Sequence, residues 1–316
     1  MKQILCLGDA CADIIIPYGT AKKGMNAAPE FTCGGASANT ASGLGKLGAS
    51  CAFLGKAGED YFGRTMKTAL EKDGVDTKYF ILDKDLSSVM IMVVIDENND
   101  RFPFRIPREK SSYLELYDAD IPEDVLEQIS FVHTTGLMLF EEPAAGTVCR
   151  FLEKCARQGK GISLDINFRI EIANLDRKYL YQAMECADYL LGSGIDEIVP
   201  LTGISDPIKA AKSLVTKKRT VVCRMGDKGS IAFDSLGEYG SGAFSVEVVD
   251  TLGAGDAFNS GFLWALSKGK PIQSANQTGC AAAALNLTKR GAHNCPNEKE
   301  LLSFMATAKP GGFTIS

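Results

Sequence analysis

Short apolar segments alternate with amphipathic helical segments along most of this chain. Residues 2–8 and 51–54 are predicted strands, and residues 36–47, rich in alanine and glycine, are a predicted helix suited to close packing on a sheet. Apolar residues then recur on one helical face before Gly74 and again before Gly159. A chain that passes repeatedly from strand to helix forms a mainly parallel sheet covered by helices on both faces. The sequence therefore predicts an α/β fold.

The alternation continues to near the end of the chain, with two interruptions. Its further predicted strands are residues 161–165, 188–191, 220–223 and 245–249, and its further helices are residues 207–217 and 273–287. Residues 12–33 contain prolines and glycines without a helical face, and residues 87–107 read as two strands around a turn. These two regions are predicted to form a small β appendage. The predicted α/β core is then residues 1–11, 34–86 and 108–316.

Composition and charge exclude several classes of function. The 316 residues carry a formal net charge of −5 and no basic run, so no nucleic-acid partner is expected. The ten cysteines include no Cys-x-x-Cys pair and lie mostly in apolar segments, which indicates reduced thiols rather than a zinc site or disulfides. We find no signal-peptide pattern and no apolar run of membrane-spanning length. A cytoplasmic protein without membrane attachment is therefore expected.

A turn of small residues, Gly253-Ala254-Gly255, stands directly before an apolar run that is predicted to be helical. The first N–H groups of a helix lack intrahelical partners, and with the helix dipole they suit an anion such as phosphate. Asp256 falls in the first turn of this helix. A carboxylate beside an anion site is electrostatically unfavourable, which favours a chemical role such as accepting a proton from an attacking hydroxyl. The alternative is an aspartate that only stabilises the start of the helix.

Two long motifs carry a resemblance to a known family. Residues 250–261, Asp-Thr-Leu-Gly-Ala-Gly-Asp-Ala-Phe-Asn-Ser-Gly, resemble the DTxGAGDxFxxGF signature of the ribokinase-like, or PfkB, carbohydrate kinases. Residues 34–48 resemble the GGxxxNxAxxLxxLG pattern of that family, and residues 55–63 its GxxGxDxFG pattern. The resemblance covers nearly the whole chain. It implies a ribokinase-like fold whose small β-sheet forms a lid over the substrate, and in that family the lid is often also a homodimer interface.

For catalysis, the resemblance implies that Asp256 is the base. The backbone N–H groups of Gly253, Ala254 and Gly255 would form the anion hole. Asp250 would help to bind a monovalent cation such as K⁺, together with carbonyl groups near residues 290–292. The alternative for Asp250 is an aspartate that only forms a turn.

For the sugar, the resemblance implies contacts from Asp13, which follows the first strand. Gly34, Gly35 and Asn39, near the start of the first long helix, match positions that line the same pocket. The alternative for Asn39 is a buried helix residue with only local hydrogen bonds.

Two arginines bear on the choice of substrate. Residues 165–169 resemble the D-x-N-x-R element of fructokinases and 2-keto-3-deoxygluconate kinases, and residues 101–105 resemble the fructokinase segment that crosses the lid. Arg169 or Arg105 would then pair with a carboxylate or phosphate in bidentate fashion. The alternative is a surface ion pair.

The nucleotide and metal positions follow from the same resemblance. Residues 224–229 resemble the nucleotide loop, with Arg224, Gly226 and Gly229 near ATP; Gly255 and Gly291 complete the predicted ATP contacts. Glu197 would organise Mg²⁺ through water, since Mg²⁺ tends to keep its waters. Gly194 stands where the family usually has the asparagine of an Asn-x-x-Glu motif. This departure leaves the detailed metal and phosphate geometry open.

The sequence as a whole predicts an ATP-dependent kinase that phosphorylates a primary hydroxyl of a sugar or sugar acid, in the manner of a fructokinase. Kinases of 2-keto-3-deoxygluconate, ribose or nucleosides are alternatives within the same class. A regulator that binds sugar or nucleotide without catalysis is an alternative of another class. A nicotinamide-dependent dehydrogenase is rejected, because the GxGxxG of residues 43–48 closes a predicted helix instead of opening one.

Overall fold

The computed structural model describes residues 3–16, 30–95, 101–104, 111–167 and 176–313. The strands in these residues are β1 (Gln3–Leu7), β2 (Cys11–Ile16), β3 (Glu30–Gly34), β4 (Cys51–Gly58), β5 (Phe80–Asp83), β6 (Met90–Ile95), β7 (Arg101–Phe104), β8 (Ile129–Thr135), β9 (Gly161–Asp165), β10 (Tyr189–Ser193), β11 (Thr220–Arg224), β12 (Ser230–Phe233) and β13 (Glu238–Ser241). The α-helices are α1 (Ala36–Lys46), α2 (Tyr61–Lys72), α3 (Val125–Gln128), α4 (Ala144–Arg157), α5 (Lys178–Cys186), α6 (Val199–Thr202), α7 (Pro207–Ser213), α8 (Ala254–Ser267), α9 (Ile272–Leu287) and α10 (Glu298–Thr307).

Nine of these strands form one large sheet in the order β13-β12-β11-β10-β9-β8-β1-β4-β5. The pairs from β11 through to β5 are parallel, while β12 and β13 are antiparallel additions at one edge. The chain first builds outward from β1 through β4 to β5 and then returns to β8 on the other side of β1. Such a reversal of strand order opens a crevice at the carboxyl ends of the strands.

Alternate side chains of the sheet face opposite helical layers, as strand geometry requires. In β1, Ile4 and Cys6 belong to the core that includes residues of α1, α8 and α9. Leu5 and Leu7 belong to the other core, with residues of α4 and α5. The predicted parallel sheet with helices on both faces is therefore confirmed.

A separate four-stranded sheet has the order β3-β2-β6-β7. Its strands come from the two regions that interrupt the βα alternation, so the predicted small sheet is confirmed, while its exact limits at residues 12–33 and 87–107 stay predictions. Asp60 joins the start of α2 to the segment that precedes β6: its carboxylate caps α2 through the Gly63 N–H and also accepts the N–H of Ser88, at 2.9 and 2.8 Å.

One predicted element was wrong and another was too long. Residues 245–249 are irregular instead of a strand, and the Val249 N–H donates to the Leu287 carbonyl of α9 rather than to a neighbouring strand. The predicted helix 207–217 ends at Ser213. The Thr216 hydroxyl accepts the N–H of Arg219 at 2.9 Å, and such a local side-chain bond competes with helical bonds just before β11 begins.

Two smaller findings complete the description. All ten cysteines carry free thiols. No helix in the part of the chain described by the structure is long and apolar enough to cross a membrane.

Candidate active site

The carboxyl ends of the parallel strands bring polar side chains into one crevice. Asp9 follows β1, Asp165 ends β9, Ser193 ends β10 and Arg224 ends β11. Asp256, at the start of α8, interacts electrostatically with Asp9, Asp165 and Arg224. Residues that are distant in sequence therefore meet at the edge where α/β sheets bind ligands.

Asp256 is held and electrostatically tuned by its neighbours. The Asn39 side-chain amide donates a 2.8 Å hydrogen bond to its Oδ2. Burial raises the pKa of Asp256 to about 8. The hydrogen bond from Asn39 and the positive charge of Arg224 lower this pKa, while the negative charges of Asp165 and Asp9 raise it further. The side chain keeps partial access to solvent in the crevice. A carboxylate poised near neutral pH and open to a ligand has the properties of a general base.

The turn before α8 has the geometry that the glycines predict. Gly253 precedes the helix with φ 74°, ψ 5°, a left-handed conformation. A Cβ on Gly253 would lie 2.6 Å from the carbonyl oxygen of Ala292. The backbones of Gly253 and Ala292 can therefore approach this closely only because residue 253 is glycine. Ala254 and Gly255 line a neighbouring cavity. The Ala254 N–H makes only a long bond, 3.4 Å, to the Thr251 carbonyl, so this helix start is a candidate site for an anion.

The cavity beside this turn has a volume of about 860 Å³. That size is typical of sites for small molecules and cofactors. Its polar walls include Ser193, Asp196, Glu197, Arg224 and Asp227, and its apolar walls include Phe244, Val246, Phe258, Ala283, Ala284 and Leu287. Gly226 and Gly229 also line it, with φ of 60° and 97°, and both are turn residues as predicted.

Arg224 is the centre of a network beneath the turn. Its Nη2 donates to Asp165 at 2.7 Å and to Glu197 at 3.2 Å. Its Nη1 lies 3.2 Å from the other Asp165 oxygen, 3.0 Å from Asn259 Oδ1 and 3.3 Å from the Gly255 carbonyl. Asn259 in turn donates to Asp165 at 2.7 Å. The guanidinium is therefore bound by protein groups on several sides.

Glu197 lies between this network and the cavity. Its carboxylate accepts the Ser193 N–H at 2.6 Å as well as the bond from Arg224. Burial raises the pKa of Glu197 to about 7, with the charge of Asp165 acting in the same direction and Arg224 against it. No group of three or more ligating side chains in the described residues is arranged to hold a metal ion. A single carboxylate at a cavity wall does fit Mg²⁺, which is usually held by one or two carboxylates, waters and phosphates of the substrate.

On the other side of the crevice, Asp13 of β2 lies beside Gly34 and Gly35, the two glycines before α1. A Cβ on Gly34 would lie 2.3 Å from an Asp13 carboxylate oxygen, so only glycine leaves room for Asp13 there. Gly35 precedes the helix with φ 102°. The Asp9 carboxylate accepts the N–H groups of Ala36 and Ser37, at 2.8 and 3.2 Å, and so anchors this helix start.

Asp250 and Gly291 are brought together, as predicted. The buried Asp250 carboxylate accepts the N–H of Leu252 at 2.9 Å and of Gly291 at 2.8 Å. The Asn294 amide donates to the carbonyls of Arg290 and Gly291, at 2.5 and 2.7 Å. This places Gly291 at the Asp250 loop; it is not among the residues that line the cavity.

Two predicted site residues cannot be placed, and other residues of the crevice were not predicted. Arg105 and Arg169 lie outside the described residues. Asp9, Asn259 and the apolar cavity walls were missed. The signal for Asp9 was present, since it is an acid directly after a buried strand and ahead of a glycine pair that opens a helix. Nothing local marks Asn259, because its role depends on contacts with two other strands.

Gly194 has no room for a side chain. A Cβ built there would lie 2.9 Å from both Cys223 Sγ and Met225 Sδ, and 3.1 Å from Pro207 Cβ. We expect Gly194→Asn to lower the free energy of unfolding by about 1–3 kcal/mol through overpacking, as measured by urea unfolding. Gly203→Asn is the control, because a Cβ on Gly203 would meet no atom within 4 Å and asparagine tolerates its left-handed conformation. Equal stability of the two variants would contradict the prediction.

A carboxylate of raised pKa beside a helix start suits transfer of a phosphoryl group to a hydroxyl, so the fold and crevice define a small-molecule kinase. Residues 1–300 match the pfkB family carbohydrate kinase profile. The chain belongs to that family and is an ATP-dependent kinase of sugars or sugar acids.

Two relatives and one solved structure are also sugar or sugar-acid kinases. The chain is 29% identical to a fructokinase of Vibrio alginolyticus over 319 residues, covering 96% of this chain and 99% of the relative. It is 29% identical to a 5-dehydro-2-deoxygluconokinase of Geobacillus thermodenitrificans over 270 residues, covering 83% of this chain and 79% of the relative. A double mutant of Vibrio cholerae fructokinase, solved with fructose, ADP and potassium ion, superposes with a TM-score of 0.81 at 26% identity, over 96% of this chain and 98% of that one.

Proposed function

We propose that this kinase transfers the γ-phosphoryl group of ATP to the primary hydroxyl of a ketose such as fructose, or of a keto sugar acid. The observation that carries the proposal is the Asp256 carboxylate, held by Asn39 at the helix start where Ala254 and Gly255 line the cavity. Fructokinases and 5-dehydro-2-deoxygluconokinases among the relatives support a ketose or keto sugar acid over a nucleoside.

Each part of the crevice has one task in this reaction. Asp256 accepts the proton of the attacking hydroxyl. The N–H groups at the Gly253–Gly255 turn stabilise the negative charge that develops on the transferred phosphoryl group. Asp13 and Asn39 hold sugar hydroxyls, and the small sheet closes over them to exclude water.

ATP and Mg²⁺ fit the other half of the crevice. The apolar cavity walls from Phe244, Phe258 and α9 suit an adenine ring, and the helix start suits its phosphates. Mg²⁺, when bound with the nucleotide, neutralises phosphate charge, and Glu197 would contact it through water. The ten free thiols fit a reaction in the reducing cytoplasm.

K⁺ is the proposed ligand of the Asp250 loop. The loop joins Asp250 to Gly291, and Gly253 packs on the next residue, Ala292, so an ion there would steady the catalytic turn. Activity in K⁺ should exceed activity in tetramethylammonium at equal ionic strength. Equal rates in the two salts would remove K⁺ from the proposal and leave the kinase reaction untouched.

The deciding experiment is Mg·ATP-dependent phosphorylation across a panel of acceptors. The panel contains fructose, 5-dehydro-2-deoxygluconate, 2-keto-3-deoxygluconate, ribose, other hexoses and nucleosides. We expect one ketose or keto sugar acid to give the highest kcat/KM. If a sugar acid is preferred, Arg169→Gln and Arg105→Gln should each be assayed, because loss of a carboxylate partner raises the KM for the acid more than for fructose.

Other outcomes point to the alternatives. Turnover of nucleosides without turnover of sugars would favour a nucleoside kinase. Binding of ATP or sugar without turnover of any acceptor would favour the non-catalytic regulator.

A further inference from the structure

Arg224 lies under the catalytic turn and contacts four protein groups. They belong to three parts of the fold: Asp165 at the end of β9, Glu197 after β10, and Gly255 and Asn259 in successive turns of α8. The Arg224 side chain is only 13% exposed, although it borders the cavity. A buried, bidentate guanidinium has fixed geometry, because its donors lie in one rigid plane.

The contact with Gly255 connects this network to the proposed anion hole. Arg224 Nη1 lies 3.3 Å from the Gly255 carbonyl, and a Cβ on Gly255 would lie 3.2 Å from the same nitrogen. The guanidinium therefore packs directly against the backbone whose N–H groups would donate hydrogen bonds to the transferred phosphoryl group. At its other edge it bonds Glu197, the proposed magnesium-side carboxylate.

Charge gives a second reason for an arginine at this position. Asp165 and Glu197 are both largely buried, with 3% and 13% of their side chains exposed. Without a cation between them, two carboxylates would repel each other and any phosphate bound nearby. Both Nη atoms of Arg224 are already bonded to protein groups, so its hydrogen bonds hold residues of the site in place.

We propose that Arg224 is a positioning residue that fixes the turn at the start of α8 relative to Glu197. It acts on the rate of phosphoryl transfer through the geometry of this turn and takes no phosphate oxygen itself. Its effect on the rate rests on the proposed function, whereas its hold on the turn can be measured without substrate.

The test compares Arg224→Lys with Arg219→Lys. A lysine keeps the charge but cannot bond two carboxylates and the Gly255 carbonyl in one plane. Arg219 is a matched control: it is buried just before the same strand and bonds Glu185 and the Leu214 carbonyl at 3.3 and 3.2 Å, away from the crevice.

Hydrogen–deuterium exchange of the backbone at residues 257–261 is measured first, on unliganded protein, because the amides of α8 are held by helical hydrogen bonds from Ala257 onward. We expect faster exchange in Arg224→Lys by about tenfold or more, and no change there in Arg219→Lys. In steady-state kinetics, Arg224→Lys should lower kcat by about 10- to 100-fold, the range typical of a lost supporting contact. The KM values for sugar and Mg·ATP should change by less than about threefold.

Each other result has a definite meaning. Unchanged exchange at residues 257–261 would overturn the proposal. A raised KM for Mg·ATP at unchanged kcat would also overturn it, because that result would assign Arg224 to phosphate binding. If Arg224→Lys does not fold, Asn259→Ala replaces it, since it removes one of the bonds that join Arg224 to α8; faster exchange supports the proposal and unchanged exchange refutes it. If the parent protein phosphorylates no acceptor, the proposed function fails, and the exchange result still decides the role of Arg224.

Discussion

Replacing Asp256 by asparagine should lower kcat by about 10²- to 10⁴-fold, the usual contribution of a general base. The asparagine has the same shape, and its carbonyl can still accept the 2.8 Å hydrogen bond from Asn39. It cannot accept a proton from the attacking hydroxyl. Folding and ligand binding should therefore survive while turnover is lost, which stopped-assay kinetics and calorimetric binding of the preferred sugar would measure together.

The dependence on pH gives this prediction a second, independent check. The base must be unprotonated to act, and the pKa of Asp256 in the unliganded protein is raised to about 8. The value of kcat/KM should therefore rise with pH and level off above about 8, since this parameter reports the free enzyme. The same limb should be absent from the residual activity of Asp256→Asn.

Stability should change in the opposite sense to activity. Because the pKa of Asp256 is raised above its unfolded value of 3.8, the folded protein binds this proton more tightly than the unfolded chain. The folded state is therefore increasingly disfavoured as pH rises from 3.8 to about 8. Asp256→Asn removes this effect, so its gain in Tm over the parent should grow with pH and be largest above 8.

A control substitution separates the base from a general effect of losing a carboxylate. Asp206 caps α7 through the Lys209 N–H at 2.8 Å, and asparagine is an equally good N-cap. Asp206→Asn should leave kcat within about twofold of the parent, as expected for a surface change that keeps its hydrogen bond. If Asp256→Asn were as active as Asp206→Asn, Asp256 would not be the base.

The sequence was sufficient to predict the layers of the fold, because those layers follow from local periodicity. Ile4 and Cys6 face one core and Leu5 and Leu7 the other, which the alternation of one short strand already requires. The predicted strand at residues 245–249 was wrong for a related reason. Their apolar side chains follow a strand-like pattern, but the segment lies beside the cavity and α9, and its Val249 N–H bonds to α9 instead of to a strand.

The site was predictable only where a motif is continuous in sequence. Asp256 and its glycine turn stand in one segment, so their chemistry could be inferred before any contact was known. The predicted contact of Arg224 with ATP stays a prediction, and its bonds to Asp165 and Asn259 join segments 59 and 35 residues away. Long-range contacts of this kind have no local periodicity, and they emerge only when the sheet brings the strand ends together.

Gly253→Ala should lower kcat by about 10²- to 10³-fold, comparable to the loss of an oxyanion-hole donor. The left-handed conformation of Gly253, φ 74°, costs an alanine about 1–2 kcal/mol. The added Cβ would also lie 2.6 Å from the Ala292 carbonyl oxygen, which belongs to rigid backbone. The turn must therefore shift away from the Asp250 loop, and its N–H groups shift with it.

Gly203→Ala isolates the part of this effect that comes from backbone conformation alone. Gly203 ends α6 with φ 72°, ψ 5°, nearly the same as Gly253, but a Cβ there meets nothing within 4 Å. Both variants should lose about 1–2 kcal/mol of stability in urea unfolding from conformation, and Gly253→Ala should lose more because of its contact with Ala292. Only Gly253→Ala should lose turnover. If the two variants had the same kcat, the close packing of the turn would be dispensable, and the anion hole would have to be sought among groups other than the N–H donors of this helix start.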